Sequence, residues 1–172
     1  MRRKIILFII ITICFVLQTT LFKALAFANI SPNLLLIVIS SFGFMRGKRE
    51  GMFLGACTGL LMDISFGPYI GLYTLIYMYV GYINGMFKKY FYPEDIKLPM
   101  LLIGGSDIVL NFILYFLVFL FRGRSDVFYY FKSIIIPEFV YTMLITVFMY
   151  YPLLKINEWL EVDEKRRAKK FE

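Results

Sequence analysis

The chain has 172 residues, 60% of them hydrophobic, with mean hydropathy +0.72 and formal net charge +7. A soluble domain averages roughly half apolar and about a quarter charged residues. This composition therefore excludes an ordinary water-soluble fold and requires lipid as the solvent. The basic residues lie at the ends of apolar runs and do not alternate with aromatics on a polar surface, which excludes nucleic-acid binding. His is absent, and Cys14 and Cys57 lie within apolar runs without CxxC spacing, so neither a metal centre nor a thiol–imidazole pair is available. No cofactor is implied.

The hydropathy pattern predicts an all-α membrane protein, a single integral domain over 1–172 with six spans. The first, about 5–28, follows Arg2-Arg3-Lys4. Ala24-Leu25-Ala26 resembles a signal-peptide cleavage site. The apolar run exceeds the usual h-region of about 7 to 15 residues, however, and reads as an uncleaved span. The second, about 32–45, opens on Pro32, whose missing N–H is harmless in a first helical turn. Its length of about 21 Å is short against a hydrocarbon core of about 30 Å, so the chain before it has to bend within protein or at the interface. The third, about 51–66, turns at Gly67-Pro68 into the fourth, about 69–87. A charged loop follows over 88–98. The fifth span is about 99–121, then a polar connection with a short interfacial helix at 127–131. The sixth, about 133–154, leads to a charged tail, 155–172, helical at first, with Trp159 at headgroup level.

Six spans place both termini on one side. That side carries fifteen Lys and Arg and the other only four: Lys23, Arg122, Arg124 and Lys132. The excess marks the cytoplasmic face.

Gly51, Gly55, Gly59 and Asp63 recur every fourth position in the third span. On a helix they form one stripe that drifts about 40° per step. Small residues let a second helix approach closely, and Gly81 and Gly85 on the next span fit that partner role. Asp63, Asp107 and Glu138 lie within spans that hold no Lys or Arg. An isolated carboxylate in hydrocarbon is costly, so each acid has to face the bundle interior, be protonated or be hydrogen-bonded. Depth along the spans puts Asp63 and Glu138 in the outer half of the membrane and Asp107 in the inner half. Two readings stand: a polar cavity or relay lined by Asp63 and Glu138 with Gln18, Asn84 and Asn111, or hydrogen bonds between helices that fix the bundle. Arg122 or Arg124 is also within reach of Glu138. No phosphate-binding loop or catalytic triad occurs, and the chain reads as a non-enzyme.

Four motifs in order carry a family resemblance: Gln18 near the end of the first span; Pro32-Asn33-Leu34 entering the second; Gly51-x3-Gly55-x3-Gly59-Leu-Leu-Met-Asp63; and Gly71-Leu-Tyr-Thr-Leu followed by Gly81-Tyr-Ile-Asn-Gly85. The chain resembles the MreD family of rod shape-determining membrane proteins. That resemblance implies a multi-span protein of the bacterial cytoplasmic membrane that acts with MreC, a single-span protein. It also implies the wider elongation assembly of MreB, the RodA glycosyltransferase and a class B penicillin-binding protein, and a role in side-wall peptidoglycan synthesis. The family fold is similar to that of the S subunits of energy-coupling-factor transporters. Two alternative functions follow, a vitamin-capturing S-type subunit and a binder of lipid precursors.

Overall fold

Helix accounts for nearly all of the computed structural model, which describes residues 2–20, 31–67, 70–92, 95–119 and 131–168. Among these residues there are six α-helices: α1 (Arg2–Thr19), α2 (Leu34–Arg46), α3 (Lys48–Phe66), α4 (Leu72–Met86), α5 (Lys97–Leu114) and α6 (Ile136–Ala168). A 3-10 turn, Phe87–Tyr90, extends α4. π-Helical turns extend α5 over Tyr115–Phe119 and precede α6 over Phe131–Ile135.

The hub is α2, the shortest helix. Every residue from Leu34 to Met45 is buried. Its sequence is apolar all round, with no polar face to turn outward, and such a helix has to be enclosed. The other five helices all pack on it. One core cluster joins Leu35, Val38 and Phe42 of α2 to Leu7 and Ile11 of α1 and Leu153 of α6. A second joins Leu36 and Ile39 to Ile76, Tyr77 and Val80 of α4 and Leu110 of α5.

Large apolar side chains also stand on the exterior. Leu101 is 70% exposed, Ile64 74%, Phe148 77% and Ile70 84%. Two helices, Lys97–Leu117 and Phe131–Arg166, are long and apolar enough to cross a membrane.

Several expected boundaries are corrected. Pro32 does not open the second helix. Asn33 caps it and the helix begins at Leu34, because an Asn side chain just outside the helix can take a free N–H that Pro32 cannot serve. The expected 46–50 loop shrinks to Gly47, at φ 104°, and Lys48-Arg49-Glu50 form the first turn of α3. Glu50 there complements the positive end of the helix. The first helix already includes Arg3 and Lys4. The charged tail is helical at first, as expected, because α6 continues through Pro152 to Ala168 and buries Asn157 and Leu160. Residues 21–30 and 120–130, including Arg122, Arg124 and all but Phe131 of the expected interfacial helix at 127–131, lie outside the described residues.

Candidate functional site

The stripe of α3 meets α4 in antiparallel register, backbone against backbone. A Cβ on Gly51 would strike the Gly81 carbonyl, one on Gly55 the Tyr77 backbone, and one on Gly59 the Thr74 backbone. In the same way Gly81 faces Gly51, and Gly85 faces the backbone of Gly47 and Lys48. Tight contact of this kind follows from glycine having no side chain, and dispersion between the two backbones replaces side-chain packing.

Asp63 stands where the stripe reaches the N-terminus of α4. Its Oδ2 accepts the N–H of Gly71 at 2.9 Å, the N–H of Thr74 at 3.0 Å and the Thr74 hydroxyl at 2.5 Å. Its Oδ1 accepts the N–H of Tyr73 at 2.9 Å. The first N–H groups of a helix have no partner inside the helix and carry the positive end of its dipole. Asp63 satisfies three of the backbone N–H groups at the start of α4 from a neighbouring helix. Gly71, at φ 106° in the left-handed region, makes the entry that turns these groups toward it. The carboxyl is only 3% exposed and fully engaged, so it does not line the expected cavity.

Gln18 acts similarly for α2. Its Oε1 accepts the N–H of Leu35 at 3.1 Å, and Asn33 Oδ1 accepts the N–H of Leu36 at 3.1 Å. The Asn33 N–H donates to Thr142 Oγ1 of α6 at 3.2 Å, and the Tyr77 hydroxyl donates to Asn33 Oδ1 at 3.3 Å. A short helix enclosed on all sides needs such partners, because its buried first N–H groups have no water to bond. The motif residues Gln18 and Asn33 therefore serve one task, with Pro32 and Leu34 on either side of the cap.

Asn84 ties three helices, donating from Nδ2 to Ser40 Oγ of α2 and Ser106 Oγ of α5, both at 2.9 Å. It too is absent from the expected cavity. Asp107 and Asn111 of α5 are buried, and the Glu138 carboxyl interacts with both. Asp107, Asn111 and Glu138 thus form one cluster where α5 and α6 pack. Asn111 Nδ2 donates to the Asp107 carbonyl at 3.1 Å, while neither carboxyl oxygen of Asp107 has a hydrogen-bond partner among the described residues.

An ionic clasp not anticipated from the sequence closes the end of the bundle where α2 meets α3. Arg3 of α1 pairs with Glu50 of α3 and, at 2.6 Å, with Glu164 of α6. Glu164 also pairs with Arg46 of α2 at 2.9 Å, and Arg46 bonds the Asn157 side chain and, at 3.1 Å, its carbonyl. The sequence carries no spacing signal for it, since Arg3 and Glu164 stand 161 positions apart.

Hydrophobic side chains line this bundle inside and out, and Gln18, Asn33, Asp63 and Asn84 are spent on helix starts and helix crossings, which is the construction of a helical membrane protein. The chain belongs to the family of the rod shape-determining protein MreD, whose family model matches residues 1–158. Membership implies a role in rod-shape determination, and the family is one of shape-determining membrane proteins, not of known enzymes. No curated protein and no solved structure matches the chain. The expected likeness to transporter S subunits thus gains no support.

Proposed function

We propose that the chain is a non-enzymatic scaffold of the bacterial cytoplasmic membrane, with six spans and both termini cytoplasmic. It acts with an MreC-like single-span protein in the assembly of MreB, RodA and a class B penicillin-binding protein that builds side-wall peptidoglycan. The family match over residues 1–158 carries this reading. Its support within the chain is the use of Gln18, Asn33, Asp63 and Asn84 to hold helices in place. A side chain committed to capping is unavailable for acid–base work, whereas a rigid bundle suits a scaffold. The fifteen-to-four division of Lys and Arg supports the orientation.

The test combines deletion with a detergent pull-down that uses the MreC-like protein as bait. Rounded cells on deletion, together with specific co-purification, are the expected outcome. Normal rods and no association would overturn the proposal. Reporter fusions at the Lys88-Lys89 turn and at the C-terminus test the orientation, and both are expected to report cytoplasm.

A further inference from the structure

A cleft separates α1 from α3. The two helices are bridged at one end by the Arg3–Glu50 pair, while α1 takes its packing from α2. Two adjoining cavities occupy the cleft, of about 260 and 280 Å³, and share Lys4, Phe53 and Leu54 in their walls. The first is polar at its mouth, where Arg3, Lys4, Arg49 and Glu50 stand. The second runs on between Ile5, Phe8 and Ile11 of α1 and Phe53 and Cys57 of α3. Glu50 and Glu164 both engage Arg3. Lys4 and Arg49 make no ion pair among the described residues, and the Lys4 ammonium lies 5.2 Å from the centre of the Phe53 ring. Two cations with no ion pair among the described residues, beside Glu50 whose Oε2 has no hydrogen-bond partner there, therefore sit above an apolar trough open to the exterior, with Phe8 54% and Phe53 51% exposed.

We infer that this cleft binds an anionic phospholipid, its phosphate between Lys4 and Arg49 and an acyl chain along Phe8, Ile11 and Cys57. The charge pattern selects this occupant. A phosphate supplies the missing counter-charge, and basic pockets between membrane helices on the cytoplasmic side suit anionic headgroups. A purely apolar partner helix would cover the trough and leave both cations unanswered. The inference rests on the membrane-embedded reading and not on the choice of protein partner.

Native mass spectrometry of the full chain, titrated with phosphatidylglycerol and with phosphatidylcholine of the same acyl chains, tests it. Phosphatidylglycerol is expected to bind at least tenfold more tightly. The Lys4→Gln, Arg49→Gln double variant is expected to lose about thirtyfold of that affinity, since each cation near an anionic surface contributes roughly fivefold. Cys57→Trp, which fills the trough, is expected to weaken retention of both lipids, with circular dichroism confirming a folded bundle. Equal binding of the two lipids, or unchanged binding by the double variant, would overturn the inference. In a Cys14→Ala background, a photocrosslinker on Cys57 is expected to label lipid in cells; labelling of a protein partner in its place also overturns it. Carbonate extraction separates the two levels. Release from membranes defeats the embedded reading itself, whereas retention without lipid preference defeats only this site.

Discussion

Asp63 and Gln18 hold helix starts that their own helices do not contain. Asn at position 63 keeps one acceptor oxygen and brings an amide that faces donors, so Asp63→Asn leaves part of the α4 start unpaired and removes the charge that complements its dipole. A loss of about 2 kcal/mol is expected, read from thermal unfolding in detergent, with Thr74→Val losing about half as much. Gln18→Leu removes the acceptor of the Leu35 N–H and is expected to lower stability by about 1 kcal/mol, the usual size of a capping effect. Asp63 is visible in the sequence as an expensive group, because an acid among apolar residues stands out in any window. Its task is not visible there. That depends on the Gly71 turn, which brings the N–H groups of residues 71, 73 and 74 back onto the carboxyl.

At the scale of the helix, the glycines of α3 divide from Gly105 of α5. Gly55 abuts the Tyr77 backbone, whereas nothing lies within 4 Å of a Cβ placed on Gly105. Gly55→Ala therefore forces two backbones apart and is expected to lower stability by about 2 kcal/mol, in the range of core overpacking. Gly105→Ala is expected to be neutral or stabilising by up to about 1 kcal/mol through helix propensity. Parallel melts of the two purified variants decide this; equal losses would refute the close contact of α3 and α4. The four-residue repeat is legible because periodicity is local. The helix limits are less so. Gly47 alone separates α2 from α3, and α2 starts at Leu34 behind the Asn33 cap, not at Pro32, because capping and ion pairs at helix ends outweigh the hydropathy change that marks a span.

For the whole molecule, the clasp of Arg3, Glu50, Arg46, Asn157 and Glu164 joins α1, α2, α3 and α6 at one end. Half-exposed pairs contribute little singly, and Glu164→Gln is expected to cost about 1 kcal/mol, falling toward zero in 1 M salt. Arg46→Ala is expected to cost about 2 kcal/mol in either salt condition, because Asn157, 2% exposed, then loses its donors. Denaturation at two ionic strengths separates these outcomes. The solvent, the helical class and the stripe of close approach are all written in the amino-acid order, because composition and a 3.6-residue repeat are properties of short windows. Packing in three dimensions settles which acid caps a helix, which one has no hydrogen bond among the described residues, and where a cleft remains between α1 and α3. Those outcomes depend on how helices far apart in the chain rotate and cross, and no local pattern encodes that.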